Sequence, residues 1–175
     1  MGSSFLILNT IISLAITLVK GDAGLIQKTC KTTKYYDLCV SSLKSEPTSA
    51  DSDTKGLAMI MAGVGTANAT ATSTFLSSQL LTTTNDVIMK KVLRECSDKY
   101  AHATDALQAS VEDFVSELYD YVYLHVMAAA DYPNACRNAF RRYPGLVYPQ
   151  EIARRGDGLK HICEVVLGIV DHLAS

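Results

Sequence analysis

From Asp53 onward the apolar residues return at every third or fourth position: Leu57, Ile60, Val64, Ala67, Ala71 and Phe75. That period matches the turn of an α-helix and predicts one long helix. Gly63 and Gly65 each cost such a helix about 1 kcal/mol relative to Ala, so close packing by a neighbour is expected at both. A second segment, through Met89, Leu93, Cys96, Tyr100, Ala103, Leu107, Ser110 or Val111, Phe114 and Leu118, alternates fours and threes as the seam of a bundle helix does. Asn85 is its expected N-cap. Its opposite face carries Lys90, Lys91, Glu95, Asp98, Lys99, Asp105, Glu112 and Asp113, which reads as a solvated surface. A third helical pattern runs through Leu124, Met127 and Ala128 to Cys136, Ala139 and Phe140, interrupted near Pro133. After a turn between Tyr143 and Pro149, a last helix spans Ile152 to Leu173, weakened by Gly156 and Gly158. No segment alternates as a strand does. The predicted fold class is therefore all-α, an up-and-down four-helix bundle.

The N-terminal part departs from this pattern. Between Leu25 and Ser45 the helical pieces are short and break around Thr32 and Thr33, and the polar stretch to Asp53, with Pro47, ends them. Too short to complete the bundle, they are expected to pack outside it as a helical hairpin. Ahead of them, Phe5 to Val19 form a short apolar run that ends before Lys20 and is interrupted by Asn9, Thr10, Ser13 and Thr17. A spanning helix needs about 20 apolar residues, so this run reads as a signal peptide cleaved after Ala23. Leu6 stands where a myristoylation motif needs Ser or Thr. The expected organisation is a leader, 1–23, and one domain, 24–175, that enters the secretory pathway and has no membrane segment after cleavage.

Charge excludes one class of partner. With 16 Lys and Arg against 18 Asp and Glu, the net charge is −2, and no dense basic run stands out beyond short pairs such as Arg141–Arg142 and Arg154–Arg155. A nucleic-acid footprint is not supported. The five cysteines all lie in the domain, where a secretory route favours disulfides. Cys163 sits within the apolar stripe Leu159, Ile162, Val166, Ile169 and is read as a free, packed thiol. Cys30 and Cys39 enclose a short loop that suits a local clip, which leaves Cys96 and Cys136 to join two distant helices. In the chain-entropy description the two bridges contribute about 3 and about 4 kcal/mol.

Chemistry is harder to find. No His or Cys spacing suits a metal, and no nucleophile elbow, zinc-hydrolase or phosphate-loop motif occurs. Gly63-Val64-Gly65 starts like a dinucleotide loop but lies inside a helix. His161 and Glu164, three residues apart, form the best acid/base pair, yet such pairs on helices are usually weak ion pairs. His102, His125 and His172 are scattered. No catalytic residue, metal or cofactor is therefore expected. Asn68, in Asn-Ala-Thr, is a glycosylation sequon that the secretory route would expose to modification.

The run LIQKTC at 25–30, YYDLC at 35–39, LRECSDKY at 93–100 and DYPNAC at 131–136 resembles the plant invertase and pectin methylesterase inhibitor family over essentially the whole domain. The stretches 131–144 and 159–173 resemble its invertase-inhibitor branch. That resemblance implies bridges Cys30–Cys39 and Cys96–Cys136, a free Cys163, and inhibition by binding, with acid invertase of vacuole or cell wall as partner and pectin methylesterase as the alternative. In cell-wall-type members a Pro-Lys-Phe loop ahead of the fourth Cys covers the enzyme's sucrose pocket. The corresponding place here is Tyr119, Asp120 and Tyr121, where the Lys is missing. The two tyrosines are the candidate anchors, Asp120 a candidate partner for a basic rim, and Tyr123 is expected to pack on the bundle instead.

Overall fold

The computed structural model describes residues 24–174, so the leader assigned to residues 1–23 lies outside the described residues. Its helices are α1 (24–30), α2 (Tyr36–Ser45), α3 (Thr54–Thr74), α4 (Val87–Val115), α5 (Tyr119–Arg141) and α6 (Gln150–Leu173). A 3₁₀ turn, Pro47–Asp51, precedes α3, and a wider π-type segment, Phe75–Leu80, prolongs α3 into a last turn at Leu81–Thr83. Among the described residues there is no strand.

The four long helices contact one another in a ring, α3 and α5 each packing against both α4 and α6. Leu57 and Met61 of α3, Leu107 and Phe114 of α4, Val126 of α5 and Ile169 of α6 are fully buried between them. Two carboxylates start the long helices. Asp53 accepts from Gly56 N at 2.7 Å, and Asp86 accepts from Ile88 N and Met89 N at 2.8 and 3.0 Å. Asp86, not Asn85, is thus the N-cap of α4, because its carboxylate reaches two of the amides that lack a partner in the first turn.

The glycines divide by role. A Cβ on Gly65 would meet Leu107 at 3.1 Å and Ile162 at 3.3 Å, while Gly63 has nothing within 4 Å, so the expected close packing holds at only one of them. Gly156 lies where α6 meets Pro133 and the Tyr100 hydroxyl, 3.0 and 2.9 Å from the place of its missing Cβ. Pro133 does not interrupt α5: it is buried inside a helix that runs on to Arg141. Its ring fills the hollow that Gly156 leaves, and that packing offsets the backbone hydrogen bond it forgoes.

Covalent links reinforce both layers. Cys96–Cys136 clamps α4 to α5 with Cα atoms 4.6 Å apart, and Cys30–Cys39 joins the end of α1 to α2. Cys163 is buried and unpaired, and burial pushes its thiol up to about 12. The N-terminal pieces lie against α6. Thr32 Oγ1 donates to Gly168 O at 3.2 Å, and a side chain at Gly168 would strike the Thr32–Thr33 backbone at 3.1 Å. His161 stacks on Tyr35 with ring centroids 4.1 Å apart, and Glu164 pairs with Lys34 at 2.7 Å. The two residues considered as an acid/base pair are thus separately engaged in holding the hairpin, and α6 is their scaffold.

Candidate partner-binding site

Helix α4 ends in a tight reversal. Glu117 N donates to Phe114 O at 3.2 Å and Leu118 N to Asp113 O at 2.9 Å, with Glu117 at φ 57°. This is the paired-bond helix stop that usually has glycine at its left-handed position. Here a glutamate takes that conformation, and its carboxylate accepts from Lys55 Nζ of α3 at 2.8 Å. Leu118 O then receives Tyr121 N and Val122 N, both at 3.0 Å, and starts α5. One turn further along, His125 Nδ1 lies 2.7 Å from Asp113 Oδ2 and ties α5 back to α4.

This reversal puts the three candidate residues on the first turn of α5 rather than in a loop. Their environments differ. Tyr119 is half-buried and sets its ring edge-on to Phe114, 6.5 Å between centroids. Asp120 is exposed, and Tyr121 is 57% exposed. With Glu117, Leu118 and Ala174 they line a shallow recess of about 300 Å³ at the end of the helices where α6 also finishes. Tyr123, expected to pack on the bundle, is exposed instead, because the phase of α5 turns it away from the core.

That phase also reveals residues that size alone misassigned. The buried stripe of α5 is Val122, Val126, Ala129, Pro133, Cys136, Ala139 and Phe140. Leu124 and Met127, read as core positions, lie outside it and are exposed, as is Leu118, read as part of the α4 seam. Small and β-branched residues fill the closely approached α4–α5 interface that the disulfide fixes, and the larger Leu and Met are displaced outward. Leu118 and Tyr121 line the recess as exposed apolar side chains, and Val115 and Leu124, three residues before and after them in sequence, are exposed as well, the kind of surface that marks a binding face. The legible signal for it was the run of Val122, Val126 and Ala129, whose spacing alone gives the buried phase.

The other sequence candidates do not converge there. His102 lies beside Asp105 and Tyr132, and His161 faces the hairpin. No group of three or more His, Cys, Asp or Glu among the described residues could hold a metal. Asn68 sits midway along α3, half-buried, with its Oδ1 buried and its Nδ2 3.8 Å from the place of a Cβ at Gly158 on α6.

A profile of the plant invertase/pectin methylesterase inhibitors matches residues 24–169. The chain is 52% identical over 174 residues to cell wall / vacuolar inhibitor of fructosidase 2 of Arabidopsis thaliana, covering 98% of this chain and 97% of that protein. It is 37% identical to pectinesterase inhibitor 28 of Oryza sativa subsp. japonica, over 87% of this chain and 70% of that one. Among solved structures, a mutant form of a pectin methylesterase inhibitor from Arabidopsis superimposes with a TM-score of 0.65 at 24% identity, over 81% of this chain and 92% of that chain, a likeness of fold.

Proposed function

Because this chain belongs to the plant invertase/pectin methylesterase inhibitor family, we propose that it is a protein inhibitor of acid invertase, which it blocks by docking the α4–α5 reversal over the enzyme's sucrose pocket. The observation that carries the choice of target is the 52% identity to a fructosidase inhibitor along nearly the full length of both chains. Inhibition by docking requires no chemistry from the inhibitor. It needs a rigid projection with a few desolvating anchors.

The reversal meets those needs. Its backbone is fixed by two paired hydrogen bonds, by the Lys55–Glu117 contact from α3 and by the His125–Asp113 contact to α5. Tyr121 and Leu118 present apolar surface, and Tyr121 also carries a hydroxyl that can bond to sugar-pocket groups. Asp120 beside them, exposed to solvent, supplies a carboxylate for a basic rim. A glycosidase pocket holds two carboxyl groups; lacking a lysine here, the inhibitor blocks access instead of pairing with them. The frame behind this projection is an up-and-down four-helix bundle with its hairpin outside, made as a precursor whose residues 1–23 are removed and delivered to vacuole or cell wall. At Asn68 the attachment atom faces α6, so a glycan would have to be added before the α3–α6 seam closes.

The rice relative's name supports a second target, pectin methylesterase, on the same scaffold. Parallel titrations separate the two. The protein is expected to suppress sucrose hydrolysis by acid invertase at about pH 5 while leaving pectin demethylation at its full rate. Inhibition confined to pectin demethylation would transfer the function to the second enzyme.

A further inference from the structure

All six arginines of the chain, Arg94, Arg137, Arg141, Arg142, Arg154 and Arg155, gather toward the end of the helices opposite the α4–α5 reversal, roughly 30 Å from it along their helices. Lys90 and Lys91 join them from the first turn of α4. Most of the carboxylates interleaved with these cations are already engaged, the exposed Asp98 one turn beyond Arg94 being the exception. Asp86 caps α4, Glu95 pairs with Arg142, Glu151 takes both Arg154 and Arg155, and Asp157 lies 3.8 Å from Arg137. Lys90, Lys91, Arg94 and Arg141 pair with no carboxylate among the described residues, and Arg141 donates only to the Asn138 amide oxygen, at 3.3 Å. The near-neutral total of the chain thus conceals a basic end with unspent positive charge.

This end is also shaped. Two adjoining recesses, of about 340 and about 330 Å³, share Arg137 and Arg141. One is walled by Phe140, Tyr143, Leu146 and Tyr148 of the α5–α6 connection. The other runs along α5 past Asn134 and Asn138 and ends at Asp131, which is occupied by the Asn134 amide at 2.9 Å. The cations are held by the rings: Arg137 lies over Tyr148 at 5.5 Å and Lys91 over Tyr143 at 6.0 Å. Arg137 and Arg141, one helical turn apart, are separated by about 6 Å along the axis, comparable with one sugar residue of a polymer.

We propose that this furrow binds a strand of carboxylate-bearing polysaccharide, a polyuronate, independently of the inhibitory end. Guanidinium groups match carboxylates in two-point geometry, side-chain amides serve sugar hydroxyls, and tyrosine faces accept the apolar faces of sugar rings. A polymer one sugar wide enters recesses that a flat protein or bilayer surface spans without filling.

Retention of the disulfide-intact protein on immobilised polygalacturonate at low and high salt tests this. The expected result is retention that weakens with salt, disappears on the fully methyl-esterified polymer, and falls at least tenfold for Arg141→Ala and for Tyr143→Ala. Inhibition of invertase by Arg141→Ala stays at the wild-type level, which shows that the variant is folded. Absence of retention, equal retention on the methyl-esterified polymer, or an unaffected Arg141→Ala variant overturns the proposal. So does preferential capture by dextran sulfate or by phosphatidylserine vesicles, either of which would reduce the furrow to a patch of positive charge.

Discussion

Glu117 holds a left-handed backbone conformation that an L-residue adopts at a cost of about 1–2 kcal/mol. The helix stop at Phe114 and Asp113 demands it, and the bond to Lys55 is made by a largely exposed carboxylate, so it offsets only a small part of that cost. Glu117→Gly is therefore expected to match or exceed the wild type in urea unfolding, because glycine removes the backbone strain. Glu117→Val, β-branched, should lose about 1–2 kcal/mol in the same measurement. Tyr100 makes the opposite case, of a polar group inside the core. Its hydroxyl is buried with no hydrogen-bond partner among the described residues, and burial raises its pKa above the ordinary value. The folded state then holds this proton more tightly than the unfolded state. The stability this represents is complete below about pH 10 and is lost as pH rises further. Cys163 and Tyr148, also raised by burial, act in the same sense. Tyr100→Phe should flatten the alkaline limb of a stability-against-pH curve and leave neutral stability unchanged or higher; a steeper limb would contradict this account of the site.

At the scale of helices, glycine reports how closely two elements approach. Gly63→Ala, on an exposed face with open space around it, is expected to raise stability by about 1 kcal/mol through helix propensity alone. Gly156→Ala places a methyl against Pro133 and the Tyr100 hydroxyl and should cost about 1–3 kcal/mol. Thermal melts of the two variants, moving in opposite directions, check both. The same contrast explains what was legible beforehand. Helical period and cysteine spacing point to the long helices, the break at Thr32 and Thr33, and the pairs that the structure bonds, because each depends on local geometry or loop length. Three features depart from that pattern. Pro133 continues a helix because Gly156 gives it room. Asp86 outcompetes Asn85 by reaching two amides. Leu124 and Met127 are displaced to the surface because Val122, Val126 and Ala129 fit the close α4–α5 contact. The first two do not follow from the periodicity of one segment; the third does follow from the spacing of Val122, Val126 and Ala129, but the larger Leu124 and Met127 masked it and so hid the exposed apolar residues of the candidate site. Tyr119 and Tyr121, chosen by position relative to Cys136, turn out to have different roles: one ring packs on Phe114 while the other faces solvent.

Across the whole molecule, one end carries the rigid reversal with its exposed apolar residues and the other carries the arginines. Helices up to roughly 40 Å long keep them apart, so occupation of one end leaves the other accessible. The central claim rests on the first end and on Tyr121 as an anchor. The most direct measurement is the inhibition constant against acid invertase, determined at several sucrose concentrations, for the wild type and for Tyr121→Ala. The account predicts inhibition that sucrose competes away and a constant at least tenfold larger for Tyr121→Ala, with its melting temperature unchanged. Full-rate sucrose hydrolysis in the presence of the wild-type protein, or inhibition indifferent both to sucrose and to Tyr121→Ala, would contradict it.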